Sequence, residues 1–127
     1  MPTPTRRGRA RVVFDDLAWN EDLAAASVAA REVATQTRVR LEREGQPVDE
    51  LLPCQSEGPE GTSLPDCVKA YLPPPDGPWG IVYRIARRPG EPTFLAVVAF
   101  GLRHPPTAST RQPSVYARAH RRLHPQR

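Results

Sequence analysis

The sequence predicts an α+β domain in which an antiparallel sheet packs against helices on one of its faces. Two features lead to this prediction. A helical apolar period runs from Glu21 to Glu44, and three β-prone runs separated by proline-containing turns follow it between residues 67 and 100. Strands joined by short turns pair antiparallel, and the helices before and after them are left to cover the sheet. The predicted element order is β-α(α)-β-β-β-α.

The length and composition of the chain indicate one domain with a modest core. The 127 residues include 16 prolines and 8 glycines, and the mean hydropathy is -0.54, so a large share of the chain should be loop. We expect residues 1–9 to be a disordered basic tail and residues 10–127 to form the domain. No apolar run is long enough to cross a bilayer and the N-terminus lacks a secretory pattern, so we expect a cytoplasmic protein without membrane association.

The first half of the chain predicts a strand followed by helix. "RVVF" (11–14) is a short strand candidate, and Asp15 and Asp16 after it supply helix-capping side chains. The helical region has one apolar face, formed by Leu23, Ala26, Ala30, Val33, Thr37 and Leu41. β-Branched residues weaken its middle, so one long helix and a bent pair both remain open. Gly45 and Pro47 give the stop signal.

The second half begins with a loop over residues 45–66 that contains one turn around "DELL", and then predicts three strands. The candidates are residues 67–72, 79–86 and 93–100, and the third is the most apolar, which predicts a central strand covered on both faces. Tyr83 should face the core. In the last segment Ser114 is a candidate N-cap, and Val115, Ala119 and Leu123 fall on one face of a short helix.

The positive charge is concentrated at the two ends of the chain. Residues 1–12 carry four arginines and residues 101–127 carry six, with no acid in either segment. The middle, 13–100, has eight cations against fourteen acids. If both ends lie on one side of the fold, they form a positive field suited to a polyanion such as RNA. Solvated arginine-rich tails explain the charge equally well.

The cysteines and histidines predict no metal site. Cys54 and Cys67 do not have a metal-ligand spacing, and in a cytosolic protein they are best interpreted as reduced, structural thiols. His120 and His124 are four residues apart on the last helix, but no third ligand is near them in the sequence. We therefore expect neither a metal nor another cofactor.

Four segments in a fixed order carry a resemblance to a known family. They are "LPDCVKAYL", "WGIVYRI", "VVAFGLRH" and "SVYARAHRRL". Together, over residues 64–123, they resemble the RelE/ParE superfamily of small bacterial toxins, and its RelE-like branch in particular. The resemblance implies a metal-independent endoribonuclease that cleaves mRNA on the ribosome and is held in check by a cognate antitoxin protein.

The resemblance also assigns site residues. Lys69, the only lysine in the chain, matches the lysine of the family's second strand, Arg103 the arginine after the last strand, and Tyr116 the tyrosine of the terminal helix. These three are the candidate catalytic residues. A lysine offers a compact charge with a shiftable pKa, whereas an arginine offers a planar fork for phosphate oxygens. The candidate RNA-binding residues are Arg84, His104, Arg111, Tyr71 and Trp79.

Two positions depart from the family pattern. Gly80 stands where the family has an arginine, and Tyr71 stands where it has a second lysine. Gly80 is expected to leave a gap that Gly80→Arg would fill, with Arg84 as a partial substitute on the same strand face. Two alternatives therefore stay open. One is a weakened or silent RelE-fold protein that binds a protein partner or RNA, and the other is a ParE-type gyrase inhibitor.

Overall fold

The computed structural model describes residues 8–54, 64, 66–72, 78–104 and 113–124. Its strands are β1 (Arg9–Ala10), β2 (Val12–Val13), β3 (Gln46–Pro47), β4 (Leu52–Pro53), β5 (Cys67–Tyr71), β6 (Trp79–Ala86) and β7 (Phe94–Leu102). Its helices are α1 (Asp16–Ala25), α2 (Val28–Glu44) and α3 (Val115–Leu123), with a 3-10 turn at Val48–Glu50. Within the described residues, a mixed five-stranded sheet has the order β2-β7-β6-β5-β4, and β1 pairs with β3. The α+β class predicted from the sequence is confirmed.

The three predicted consecutive strands are present and antiparallel. β5 pairs with β6 so that Lys69 lies opposite Val82 and Tyr71 opposite Gly80, and β6 pairs with β7 so that Gly80 lies opposite Gly101. The middle strand of the sheet is β6, whereas the sequence predicted that residues 93–100 would be central. β7 is paired with a strand on each side, but β2 pairs with it only at Leu95 and Ala96.

Two short strands differ from the predicted sheet. β2 lies at the predicted first strand but runs parallel to β7, so the sheet is mixed and not purely antiparallel. β4 lies in the segment predicted as a loop, where it pairs antiparallel with β5. Strands of two residues have no detectable alternation, and the hydrogen bonds that define them come from distant parts of the chain. The turn predicted around "DELL" is present as the 3-10 turn that begins at Val48.

The predicted helical region is the bent pair. α1 begins after Asp15, whose side chain accepts from the backbone N–H groups of Leu17 and Ala18, and α2 begins after Ser27, which caps Ala30 N–H. The predicted apolar face packs on the sheet: Leu23, Ala26, Ala30, Val33, Thr37 and Leu41 are all buried or half-buried. Gly45 ends α2 with φ 79°, and a Cβ there would lie 2.6 Å from Ala10 O.

α3 packs on the sheet face opposite α1 and α2, so the prediction that the helices share one face is wrong. Val115 and Ala119 pack with Val82 and Ala99, in a cluster separate from the core under α1 and α2. The physical reason is visible in β6. Successive side chains of a strand point to opposite faces, and the consecutive Ile81, Val82 and Tyr83 are all buried, so both faces need a cover.

The N-terminal boundary of the domain also differs from the prediction. Arg9 and Ala10 form β1 opposite Pro47 and Gln46, and Arg9 Nη1 donates to Gly45 O at 3.4 Å. Residue 9 therefore belongs to the folded domain and not to a tail. Gly8 is described as well, and residues 1–7 of the predicted tail lie outside the described residues.

Side chains close the edge of β7 where β2 ends. Among the described strands, none pairs with this edge beyond Ala96. Asp22 Oδ2 accepts from Phe100 N–H at 2.9 Å, and Arg118 and Arg122 donate to Phe100 O and Val98 O at 3.2 and 2.8 Å. Asp22 Oδ1 also accepts from Arg118 Nη1 at 2.9 Å and from Arg122 Nη2 at 2.6 Å, with the Asp22 side chain only 1% exposed. Asp22, Arg118 and Arg122, here called the edge network, thus join α1 and α3 across the edge of the sheet.

We expect Asp22→Ala to lower the free energy of unfolding by about 3 to 5 kcal/mol, because it removes the buried carboxylate that pairs with two partly buried guanidinium groups. The carboxylate of Glu21 stays 3.2 Å from Arg122, but its side chain is 76% exposed. The Phe100 N–H also loses its acceptor, which adds to the cost. Urea denaturation followed by circular dichroism measures the loss.

Asp16→Ala is the matched control, since it also removes an aspartate paired with an arginine. Asp16 Oδ1 lies 2.6 Å from Arg38 Nη2, but the Asp16 side chain is 73% exposed. Its removal should therefore cost no more than about 1 kcal/mol. Equal losses in the two variants would show that the edge network does not stabilise the fold beyond an ordinary surface pair.

Candidate functional site

The three candidate catalytic residues lie close together on the sheet face that α3 partly covers. Lys69 Nζ is 4.9 Å from the ring centroid of Tyr116 and 5.8 Å from that of Tyr71. The guanidinium carbon of Arg103 is 3.6 Å from the Tyr71 ring centroid. Lys69, Tyr71, Arg103 and Tyr116, here called the cation–tyrosine cluster, are all half-buried. A cation is attracted electrostatically to the face of an aromatic ring, so these contacts orient the Lys69 and Arg103 side chains.

Strand alternation explains why Lys69 and Tyr71 share this face. They are two residues apart on β5, and their opposite residues on β6, Val82 and Gly80, are likewise two apart. Val82 belongs to the small core beneath α3. Helices on one face of the sheet, as predicted, would leave this face open. Instead α3 shields one side of it and carries Tyr116 to the cluster.

The gap predicted at Gly80 is not present. A Cβ on Gly80 would lie 3.0 Å from Cγ and 3.5 Å from Cδ of Arg103, because the Arg103 side chain passes over this glycine. Gly80 lies between Tyr71 and Gly101 in the sheet, and this row lets Arg103 reach the Tyr71 ring. Arg103 thus occupies the space that was expected to be empty because Gly80 replaces an arginine of the family pattern. We therefore expect Gly80→Arg to displace the Arg103 side chain from this place and not to fill an empty space.

Tyr116 is held through the first turn of α3 and through the edge network. Ser114 Oγ accepts from Ala117 N–H at 3.1 Å, which confirms the predicted N-cap. Two residues after Tyr116, Arg118 is bound to Asp22 of α1. The position of Tyr116 over Lys69 therefore depends on a carboxylate from the opposite side of the sheet.

The candidate RNA-binding residues are only partly brought together. Arg84 is exposed and lies opposite Cys67 on the same face as the cluster, and His104 is exposed next to Arg103. Arg111 lies outside the described residues. Trp79 packs against the core under α1 and α2, on the face opposite the cluster, and so does not join the other candidates. The reason is alternation: Trp79 precedes Gly80 by one residue.

The two cysteines lie at the margin of the cluster, which the sequence did not indicate. Both are free thiols. Burial raises the pKa of the Cys54 thiol to about 11, with the nearby Lys69 ammonium opposing the rise. Burial also raises the pKa of Cys67, and there the opposing cation is Arg84. Each thiol is therefore mostly protonated at neutral pH and lies near one cation of this face.

The described part of the chain holds no group of three metal-ligating side chains. His120 lies on α3 and His124 is the C-cap residue of that helix, with the two ring centroids 4.7 Å apart. None of the described helices is both long and apolar enough to span a bilayer.

Comparison with known proteins finds no matching family model, no matching curated protein and no matching solved structure.

The packing of Arg103 over Gly80 can be tested by a double-mutant cycle. We expect Gly80→Ala to destabilise the protein by about 1 to 3 kcal/mol, because the new methyl group meets the Arg103 side chain at 3.0 Å. In an Arg103→Ala background Cγ and Cδ are absent, so the same substitution should cost much less. Urea denaturation of the four proteins measures the coupling. If the two costs simply add, Arg103 does not lie over Gly80 in solution.

Proposed function

We propose that this protein is a metal-independent endoribonuclease of the RelE-like type that acts on ribosome-bound mRNA and is restrained by a cognate antitoxin. The observation that carries the proposal is the cation–tyrosine cluster. It gathers the three residues that the resemblance assigns to catalysis: Lys69 from β5, Arg103 from the position after β7 and Tyr116 from α3.

The chemistry of RNA cleavage fits these groups. The 2′-hydroxyl loses a proton and attacks the adjacent phosphate, the P–O5′ bond breaks, and the 5′-oxygen leaves with a proton. The transition state carries extra negative charge on the phosphate oxygens. The Arg103 fork can contact two of these oxygens, while Lys69 supplies a second positive charge. Tyr116 is close enough to Lys69 to orient the attacking hydroxyl. The nucleophile belongs to the substrate itself, so positioning replaces much of the work of a metal.

The surroundings of the cluster suit a polyanion. Arg84 and His104 are exposed beside it, and the C-terminal segment that begins at Gly101 carries no acid. A single-stranded message could follow these cations with its phosphates, while a splayed base stacks on the exposed part of Tyr71 or Tyr116. An antitoxin of acidic character would bind the same surface and mask it.

A binding module without cleavage is the second candidate. Tyr71 replaces a lysine of the family pattern, and its ring holds the Arg103 guanidinium at 3.6 Å. An arginine stacked in this way is well suited to binding a phosphate or a base, but the exchange leaves the cluster with one proton-transferring cation, Lys69. This arrangement favours RNA binding with weak or absent cleavage.

Alanine variants distinguish the two candidates. We expect Lys69→Ala and Arg103→Ala each to slow cleavage of ribosome-bound mRNA by about 10²-fold or more, since each removes a transition-state stabiliser. Cleavage is followed by primer extension on mRNA from programmed ribosomes. Both variants should keep the wild-type circular dichroism spectrum.

Arg43→Ala is the control, because it removes the same charge from an exposed position on α2, behind the sheet. It should cleave like the wild type. If the wild-type chain binds RNA in a salt-dependent way but leaves the message intact, the binding module is the correct function. If it neither binds nor cleaves RNA, both candidates are wrong.

A further inference from the structure

Cys54 and Cys67 face each other across the last two strands at the edge of the sheet. β4 and β5 pair with Leu52 opposite Lys69 and Pro53 opposite Val68, and the next pair in this register is Cys54 and Cys67. A backbone hydrogen bond continues the ladder to that pair, since Cys54 N–H donates to Cys67 O at 3.4 Å. The pairing is therefore set by the strands and not by a chance contact of two side chains.

Both side chains point into the same part of the molecule. Cys67 is buried in the small core beneath α3 together with Val82 and Val115, and Cys54 packs against that core. Residues that exchange hydrogen bonds across an antiparallel pair have Cα atoms about 5.5 Å apart. Disulfides accept Cα separations of about 4.4 to 6.8 Å. The ideal spacing of such a pair thus falls within the range that a disulfide accepts, and the two side chains lie against the same core.

We propose that Cys54 and Cys67 form a redox-active dithiol that a small disulfide such as oxidised glutathione converts to an intramolecular disulfide. This inference is independent of the proposed nuclease function. In a reducing compartment the pair is a dithiol, in agreement with the free thiols of the structure. Oxidising conditions convert it to the covalent form.

The reaction needs no other reagent. One cysteine thiolate attacks glutathione disulfide, breaks its S–S bond and expels one glutathione thiolate, which leaves a mixed disulfide on the protein. The second cysteine then attacks the protein sulfur of that mixed disulfide and expels the second glutathione. The protein loses two protons and two electrons, and glutathione disulfide is reduced to two glutathione molecules.

Burial controls the rate of this step. The thiolate is the attacking form, and the raised pKa of Cys54 keeps it scarce near neutral pH. The rate of oxidation should therefore rise steeply between pH 7 and pH 9. The positive charge of Lys69 favours the thiolate of Cys54, and that of Arg84 favours the thiolate of Cys67. The two thiols therefore interact electrostatically with cations on the same sheet face as the cluster.

The sequence permits a direct chemical test. The purified full chain is equilibrated with glutathione buffers at pH 8.5, quenched with acid, denatured and labelled with maleimide. Trypsin then releases residues 44–69 as one peptide that contains both cysteines. We expect this peptide to lose both labels and two hydrogens in the oxidising buffers. Cleavage at Glu57 and Glu60, between the cysteines, should leave fragments that separate only after reduction.

Two controls decide whether the fold is responsible. Cys54→Ser should give no linked fragments and should retain a label or one glutathione on Cys67. The equilibrium constant for disulfide formation should be at least about tenfold larger in the native chain than in urea, because the strands hold the thiols together. Two persistent labels, a glutathione on each cysteine, disulfide-linked dimers or equal constants in both solvents would each overturn the proposal.

Discussion

The rest of the structure depends on how the edge of β7 is closed. β2 covers this edge for two residues only, and beyond it the backbone groups of Val98 and Phe100 would face solvent or a second chain. Unpaired edges of this kind promote association between chains. The Asp22 carboxylate and two guanidinium groups take the place of the missing strand. A carboxylate with a side-chain exposure of 1% is tolerable only because it is paired and hydrogen-bonded throughout. The same pairing links a helix on each side of the sheet, so the two layers are fixed relative to each other.

This link connects the fold to the site. Tyr116 reaches Lys69 because α3 lies where Arg118 and Arg122 bind Asp22. On the other side of the cluster, Arg103 reaches Tyr71 because Gly80 has no side chain to block it. The ion pairs of Asp22 thus position Tyr116, and the lack of a side chain at Gly80 allows Arg103 to reach its position. From the sequence, Gly80 suggested that the site lacks an arginine. In the structure, the glycine is what lets the Arg103 side chain lie over β6 and reach the Tyr71 ring.

The sequence predicts the parts of this molecule that have a local signal. The apolar runs gave β5, β6 and β7 within two residues of their ends, and the helical stripe with Leu41 gave the buried face of α2. β1, β3 and β4 have two residues each and were missed. The edge network joins residues 96 and 100 positions apart, so no local pattern reveals it. The same limit applies to the site: Lys69 and Arg103 could be named from short motifs, but Arg103 lying over Gly80 depends on sheet register. The prediction that the helices share one face was wrong, although Ile81, Val82 and Tyr83 are three consecutive residues of β6 with large apolar side chains. Side chains of this kind on both faces of a strand indicate that both faces are covered.

The cluster is supported unequally on its two sides, and this gives the cysteines a physical role. α3 is anchored by a buried ion pair. Among the described residues, the outer side of β5 pairs only with the two residues of β4 and with Cys54 after them, and Pro53 has no N–H to donate. Leu52, opposite Lys69, is exposed and adds little packing. A covalent bond between Cys54 and Cys67 would join β4 to β5 two residues from Lys69. The edge strand is therefore where oxidation would change the order of the site most, because it is where the site has the least other support.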